Sequence, residues 1–285
     1  MHPPLTTYDP AAYSLLAVDL AKTFGSVAAL RSATLELRAG EVLGLVGDNG
    51  AGKSTLIKML SGVVSPDRGR LFFQGQPVEF HSPKDARGRG IETVYQDLGL
   101  CEHLSVARNL FLGRELTKGP IRLLDDGRME RDAEAYLRGL GITTVPGDAN
   151  VGNLSGGQRQ AVAVAKAAAF SPRVLILDEP TAALGVREVE LVLALIRRVS
   201  GDGVGVILIT HRMQDLFEVC DRLLVMYEGT DIARLTVKDT SLEEIVFHIS
   251  GGVQRDRGKT GEAPNGHDDP SIGLAPPGRA ADGGG

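Results

Sequence analysis

The sequence has little of what builds disulfide scaffolds, zinc sites or membrane spans. Its 285 residues include only two cysteines, Cys101 and Cys220, which lie far apart and outside any CxxC spacing. This scarcity argues against a disulfide framework or a zinc site and suits a reducing cytoplasm. The longest apolar runs, at 204–209 and 174–177, are the size of strands, whereas a spanning helix needs about 20 apolar residues. We therefore expect any membrane role to come through a partner chain.

The sequence also lacks an excess of positive charge. The net charge is -5, with 42% hydrophobic and 24% charged residues, which is an ordinary globular balance. Nothing in this balance favours broad electrostatic binding of nucleic acid, so we predict no nucleic-acid partner. The first ten residues contain no basic segment followed by an apolar stretch, and we expect no signal peptide.

Composition divides the chain into three parts. Residues 1–13 are predicted to be a flexible leader, and residues 14–251 carry the regular apolar patterns of a folded domain. The stretch 251–285 holds ten glycines and four prolines, with few bulky aliphatic residues. Such a composition is typical of disorder, so residues 252–285 are predicted to be an unstructured tail. A regulatory tail is the alternative.

The apolar runs of the folded part alternate with helical patterns. Runs at 42–46, 174–177 and 206–209 each end in a polar loop and lead into a helical stretch. Continuous apolar strands that alternate with helices predict an α/β fold with a mainly parallel sheet. Residues from about 97 to 170 show helical periodicity without a strong strand, so we interpret them as a helical insertion. Ligands of such sheets bind at the carboxyl ends of the strands.

A glycine-rich loop follows the first of these strands. The segment from Gly47 to Ser54 matches GxxxxGK[ST] in full, lies after an apolar strand and opens a helix. Its backbone N–H groups can wrap a phosphate chain, Lys53 can reach the β- and γ-phosphates, and the Ser54 hydroxyl can bind Mg²⁺. A chance glycine-rich turn is the alternative, which this context disfavours. The predicted ATP-binding residues of the loop are Gly47, Asn49, Gly50, Ala51, Gly52, Lys53, Ser54 and Thr55.

Two acids end the strand at 174–177. Asp178 is placed to hold Mg²⁺, and the adjacent Glu179 to polarise the attacking water. Phosphoryl transfer requires mainly positioning and charge neutralisation, which a metal-holding acid and a water-orienting group supply. A helix cap at Asp178 is the alternative; beside the phosphate loop, we favour catalysis.

The segment Leu154-Ser-Gly-Gly-Gln158 is the most specific motif of the chain. Ser155 and Gln158 have capping-box spacing ahead of a helical run, so free N–H groups at a helix N-terminus can attract an anion. By itself the segment could be an ordinary capped helix. LSGGQ together with a phosphate loop resembles the ABC ATPases. The resemblance implies that Ser155, Gly156, Gly157 and Gln158 bind the γ-phosphate of ATP held by a second copy of the chain.

The resemblance extends over residues 14–251 and implies roles that spacing does not reveal. Phe24 matches the aromatic residue that stacks on adenine, Gln96 the glutamine that senses Mg²⁺ and links to the membrane partner, and His211 the histidine that contacts the γ-phosphate. The implied fold is a P-loop NTPase core with antiparallel N-terminal strands and a helical subdomain that carries the signature. One position departs from the pattern, because Gly185 stands where the family usually has Asp in a loop that crosses the dimer interface.

Several stretches are similar to ATP-binding subunits of bacterial ribose- and fructose-type importers, among them the segments 90–97, 104–115 and 181–185. The resemblance implies monosaccharide import, transmembrane permease subunits, a periplasmic sugar-binding protein and a peripheral place on the cytoplasmic face of the cell membrane. One phosphate loop and one signature are present, so two copies are needed for two composite sites. The alternatives are a soluble ABC protein acting on DNA or ribosomes and a small-molecule kinase. The sugar itself is not specified by the sequence.

Overall fold

The computed structural model describes residues 8–252. Residues 1–7 of the predicted leader and residues 253–285 of the predicted tail lie outside the described residues. Within the rest of the leader, Pro10–Ala12 form a single 3-10 turn that begins at Asp9. No helix of the described part is both long enough and apolar enough to cross a membrane.

The described residues form twelve strands and eight helices. The strands are β1 (Leu15–Phe24), β2 (Val27–Leu37), β3 (Val42–Val46), β4 (Arg68–Phe73), β5 (Gln76–Val78), β6 (Ile91–Val94), β7 (Thr117–Lys118), β8 (Leu123–Leu124), β9 (Val174–Asp178), β10 (Gly205–Ile209), β11 (Arg222–Tyr227) and β12 (Thr230–Thr236). The helices are α1 (Lys53–Leu60), α2 (Pro83–Gly88), α3 (Val106–Leu110), α4 (Asp126–Gly139), α5 (Gly156–Ala168), α6 (Val186–Gly201), α7 (Met213–Val219) and α8 (Leu242–Ile249).

Ten strands form one mixed sheet in the order β5-β4-β1-β2-β12-β11-β3-β10-β9-β6. The five strands from β11 to β6 are all parallel. β1, β2, β4 and β5 pair antiparallel at the other end. The predicted α/β fold with a parallel core and antiparallel N-terminal strands is therefore confirmed.

Both faces of the parallel core are covered, which explains its continuous apolar strands. Val42 and Val46 of β3 pack in the core that also contains residues of α5 and α6. Leu43 and Leu45 point the other way, into a core shared with α1. The period of two along β3 thus places α1 on one face of the sheet and α5 and α6 on the opposite face.

Between β6 and β9 the regular structure is mainly helical. It contains α3, α4 and α5, and a short antiparallel pair of two-residue strands, β7 and β8. Met129, Ala133 and Leu137 of α4 are fully buried, and their spacing of four residues puts them on one helical face. α5 packs along α6, so the segment that follows Leu154 rests on the helix that follows β9.

Candidate functional site

The loop between β3 and α1 is shaped by glycines that no other residue could replace without strain. Gly47 has φ 149°, and a Cβ there would overlap the carbonyl oxygen of Met226. Gly52 has φ 98°, and its Cβ would lie 2.9 Å from the carbonyl oxygen of Ala29. The left-handed backbone is costly for any residue with a Cβ. The loop therefore lies close against β11 and β2.

Helix α1 begins at this loop with its N–H groups available. Gly52 precedes the helix and offers no capping side chain, and the first N–H groups of a helix have no intrahelical partner. Lys53 folds back over the loop, and its Nζ donates to the carbonyl oxygens of Gly47 at 2.6 Å and Asp48 at 3.1 Å. Burial lowers the pKa of Lys53, against the opposing effects of Glu179, Asp48 and Asp178. An anion at this place would gain N–H donors and a poorly solvated cation.

Asp178 and Glu179 lie at the carboxyl end of β9. Burial raises the pKa of each carboxyl group, although the positive charge of Lys53 opposes the rise for both. Glu179 adopts φ 54°, an uncommon conformation for a residue with a long side chain. Such strain persists where surrounding structure enforces it and is frequent at functional sites. Here the N–H of Glu179 donates to the Ile209 carbonyl oxygen at 2.9 Å.

His211 meets Glu179 because β9 and β10 are neighbours. Ile209 of β10 pairs with Asp178 of β9, so the residues that follow the two strands emerge side by side. The Nε2 atom of His211 lies 3.2 Å from Oε1 of Glu179, and the backbone N–H of His211 contacts Oε2 at 3.4 Å. The Glu179 side chain is 15% exposed and that of His211 62% exposed. The carboxylate of Glu179 thus contacts an accessible imidazole and interacts electrostatically with the half-buried Lys53.

Phe24 and Gln96 lie on either side of the phosphate loop and the residues that follow β9 and β10. Phe24 ends β1 and pairs with Val27 at the start of β2, close to the segment that Gly52 touches at Ala29. Its ring is 48% exposed, as a stacking surface must be. Gln96 is exposed and follows β6 by two residues. Because β6 lies next to β9 in the sheet, Gln96 belongs to the same edge as Asp178.

The signature segment forms a capped helix start of its own. Ser155 Oγ accepts from the N–H of Gln158 at 3.2 Å, and Gln158 Oε1 accepts from the N–H of Ser155 at 3.0 Å. This is the capping box expected from the spacing. No recorded contact between described residues joins Ser155 or Gly157 to Lys53 or Glu179. Both residues instead contact the side chain of Glu188 of α6.

Sequence reasoning missed Glu188. It lies three residues after Gly185, and its carboxylate accepts from the N–H of Gly185 at 3.1 Å. That spacing is itself a helix-start signal, but it predicts only a local cap. The reach of Glu188 to Ser155, 33 residues away, depends on the packing of α5 against α6.

A second missed contact joins the loop after β9 to the first turn of α7. Thr181 and Asp215 are both buried, and the Thr181 hydroxyl donates to Asp215 Oδ2 at 2.5 Å. Asp215 also accepts from the side chain of Arg212 at 3.3 Å. The loop that carries Glu179 is thereby tied to the segment that begins with His211.

Known proteins with the same motifs are similar to this chain. The model of the ABC transporter family matches residues 30–182, a span that contains the phosphate loop, the signature and both acids. The chain belongs to the ABC transporter family. It is 47% identical over 249 residues to the fructose import ATP-binding protein FrcA of Rhizobium meliloti, covering 85% of this chain and 96% of that protein. It is 48% identical over 227 residues to the xylose/arabinose import ATP-binding protein XylG of Sulfolobus acidocaldarius, covering 80% and 90%.

A solved structure agrees with the fold. The ADP conformation of an ATP-binding cassette of an ABC transporter superposes with a TM-score of 0.71 and 25% identity, covering 86% of this chain and 98% of that chain. The predicted family is therefore confirmed, and with it an ABC ATPase that binds ATP and couples its hydrolysis to transport. The alternative of a small-molecule kinase is excluded.

Proposed function

We propose that this chain energises the import of a monosaccharide through partner permease subunits, from a peripheral position on the cytoplasmic face of the cell membrane. A periplasmic sugar-binding protein would deliver the sugar. The observation that carries the hydrolytic part is the meeting of Lys53, Glu179 and His211 at one edge of the sheet. The import part is supported by FrcA and XylG, whose names specify sugar import.

The phosphate loop would hold the ATP phosphates. Gly47 and Gly52 let the loop lie close against β11 and β2, and Lys53 would exchange its carbonyl partners for phosphate oxygens, which bear more negative charge. Phe24 would stack on adenine through its exposed ring. Mg²⁺ fits beside Asp178, because a cation would offset the burial that raises the pKa of this carboxyl group.

Ser54 and Gln96 complete the set of residues that would hold Mg²⁺. Ser54 is exposed in the first turn of α1, and Gln96 is exposed beyond β6. Magnesium is usually bound through one or two protein carboxylates together with substrate phosphates. When bound, it would neutralise charge on the phosphates during phosphoryl transfer.

Glu179 would orient the attacking water and accept its proton. Burial raises the pKa of Glu179, which strengthens a carboxylate as a base toward neutral pH. His211 would hold the Glu179 carboxylate through its Nε2 atom, 3.2 Å away, and would contact the γ-phosphate with its exposed ring. The Thr181–Asp215 hydrogen bond ties the loop that carries Glu179 to the segment that begins with His211.

The signature helix would act on the ATP of a second copy. Its N-terminus attracts an anion, and its recorded contacts leave it apart from Lys53 and Glu179 of its own chain. Two copies arranged head to tail would place Ser155 and Gly157 of each on the γ-phosphate held by the other. ATP would bind this closed pair better than separated copies, so its hydrolysis would shift the population toward opening.

The permease would dock in a groove beside Gln96. The groove has a volume of about 320 Å³ and is lined by charged residues, Glu92, Arg114 and Lys166, together with Tyr95 and Phe170. Tyr95 precedes Gln96 directly, and both aromatic side chains are partly exposed. A partner segment in this groove would contact the residue that follows β6 and would thereby communicate with the metal-binding edge.

Mixing two inactive variants tests the composite site. Lys53→Ala removes the phosphate contact, and Ser155→Arg blocks the signature helix. In a mixed pair one composite site carries both lesions and the other carries neither, so ATPase activity should return in part. If subunits demonstrably exchange and activity stays absent, a crosslink is attempted between Ser155→Cys and a cysteine placed beside Lys53. This crosslink shows whether the two positions meet between chains or within one chain. Crosslinks formed only within one chain would contradict the arrangement.

The transport role is tested with the permease. The chain is purified with the membrane subunits encoded beside it, and candidate sugars are screened with the binding protein for stimulation of ATP hydrolysis. A monosaccharide is expected to stimulate hydrolysis. If no sugar stimulates ATP hydrolysis and a different class of solute does, the proposed substrate class is contradicted.

A further inference from the structure

Glu188 places a carboxylate at the N-terminus of the signature helix. Its Oε1 atom accepts from the hydroxyl of Ser155 at 3.0 Å and from the backbone N–H of Gly157 at 3.2 Å. Its Oε2 atom accepts from the N–H of Gly185 at 3.1 Å. One carboxylate therefore uses the donors of two separate helix starts, α5 and α6.

The Ser155 hydroxyl has a single proton, and that proton is committed to Glu188. The Oγ atom already accepts from the N–H of Gln158 at 3.2 Å, so its contact with Glu188 is the donating one. A γ-phosphate oxygen bound at the same place would be an acceptor as well. It would need the same hydroxyl proton and the same Gly157 N–H. The carboxylate and a phosphate cannot both bind these donors.

The absence of a side chain at Gly157 is what admits the carboxylate. A Cβ at Gly157 would lie 2.5 Å from Cβ and Cγ of Glu188, within the van der Waals contact distance. At the neighbouring Gly156 the nearest atom, in the Leu184 side chain, would be 3.6 Å away. The second glycine of the signature thus fits Glu188 closely, whereas the first does not require a glycine for space.

Glu188 can leave this position without unfolding its helix. Its carboxylate is accessible to solvent, and its pKa is lowered by the N–H of Gly185, then by Ser155 and Gly157. The backbone of α6 is held independently of the carboxylate, since the N–H of Glu188 donates to the Gly185 carbonyl oxygen at 3.1 Å. Rotation of the side chain is enough to free both signature donors.

We propose that Glu188 is an internal competitor of the ATP γ-phosphate: its carboxylate occupies the Ser155 and Gly157 donors in the separated chain and must withdraw when two copies close on ATP. The proposal rests on the composite site proposed above. It makes Glu188 a brake on closure, because the competent form of the signature is only a fraction of the free protein. The apparent affinity for a partner is the intrinsic affinity multiplied by that fraction.

Withdrawal of Glu188 would also signal to the loop before α6. Gly185 directly precedes α6, and its N–H is bound by the same carboxylate. When Glu188 leaves the signature, that N–H loses its acceptor as well. The loop between Glu179 and α6 is then free to change at the moment when the second copy arrives.

The test measures ATP-driven pairing in the full chain. A Glu179→Gln background slows hydrolysis, and Glu188→Gln is added to it, which keeps the shape of the side chain but removes its charge. Glu190→Gln is the control, because Glu190 is exposed on α6 and has no recorded contact with the signature. The dissociation constant of the pair is measured by analytical ultracentrifugation with ATP, and binding of ATP to separated chains is measured in parallel.

We expect Glu188→Gln to lower the dissociation constant of the ATP-bound pair about tenfold relative to its parent, which corresponds to a signature that is free in about one tenth of the parent chains. Glu190→Gln should leave it unchanged. The difference should shrink at high salt, since screening weakens repulsion between the carboxylate and ATP. An unchanged or weaker pair in Glu188→Gln, with a normal melting temperature, would overturn the proposal.

Failure of the composite site gives a different result. If the parent binds ATP but does not pair, and Glu188→Gln does not pair either, the composite site proposed above is wrong. The proposed competition by Glu188 is then wrong as well. If the parent pairs and Glu188→Gln pairs no better, only the brake is wrong. With Glu179 intact, Glu188→Gln should lower the KM for ATP while kcat changes little. A lower kcat with an unchanged KM would indicate a merely structural role.

Discussion

Two helices of this protein begin at glycine-rich loops, and their N-termini are satisfied in different ways. At α1 the preceding residue is Gly52, and the described residues provide no capping side chain there. At α5 the N-terminus has Ser155 as a cap, Gln158 as its reciprocal partner and the carboxylate of Glu188. The first helix start is open to an external anion, whereas the second already holds an internal one.

The glycines serve these two helix starts differently. Gly47 and Gly52 have positive φ angles and press against backbone carbonyl oxygens, so they shape the chain itself. Gly156 and Gly157 have no such angle, and Gly157 makes room for a side chain of another helix. The phosphate loop is therefore shaped before its ligand arrives, whereas under the proposed competition the signature must first exchange one anion for another.

The largest change is expected in the rate of ATP hydrolysis at the phosphate-loop site, without a matching change in ATP affinity. Glu179→Gln removes the base that would accept the proton of water, and general-base roles are worth about 10²–10⁴-fold in rate. We expect turnover to fall by that factor while ATP affinity, which depends on Lys53 and the loop, is retained. Rates are measured by phosphate release and affinity by titration with a fluorescent ATP analogue. Glu190→Gln is the control, and near-normal turnover in a clean Glu179→Gln preparation would remove Glu179 from its role.

A stability experiment tests the difference between the glycines. Gly47→Ala forces a Cβ onto the Met226 carbonyl oxygen, and overpacking of this kind costs about 1–3 kcal/mol. Gly50→Ala introduces a Cβ with no atom within 4 Å, so it carries the backbone strain of its φ of 84° without the clash. The free energies of unfolding are compared in urea. Equal losses would mean that backbone conformation alone, and not the contact with β11, requires glycine at residue 47.

The smallest expected effect concerns pH. Burial raises the pKa of Asp178, so its ionised form costs stability above the folded-state pKa, and this cost declines as pH falls through that pKa and is absent below the unfolded-state pKa. Asp178→Asn should therefore raise the melting temperature of nucleotide-free protein at neutral pH, and the gain should shrink toward acid pH. A gain that persists at acid pH would contradict a charge effect.

Asp67 provides the matched control of opposite sign. A hydrogen bond from Lys22 lowers its pKa, so its stabilisation is present above the unfolded-state pKa and is lost as pH falls through the folded one. Asp67→Asn should lower the melting temperature slightly at neutral pH. The effect is small because surface ion pairs contribute little.

The parts of the site that the sequence predicted are those that contiguous residues build. The capping box of Ser155 and Gln158 spans four residues and forms as expected. The α/β fold was predicted from apolar runs that end in polar loops, because burial on both faces leaves that pattern in each strand. The roles of Phe24 and Gln96 remain predictions, which came from family resemblance, since neither residue belongs to a local pattern that specifies its contact.

By itself, the sequence determined the phosphate loop, the acids that end β9 and the signature helix, because backbone conformation and helix capping depend on neighbouring residues. Only the tertiary structure decided which of these groups meet. His211 reaches Glu179 across 32 residues because β9 and β10 are paired. Glu188 reaches Ser155 because α5 packs on α6 and Gly157 leaves space between them. Such contacts depend on the register of strands and the packing of helices, which no short spacing encodes.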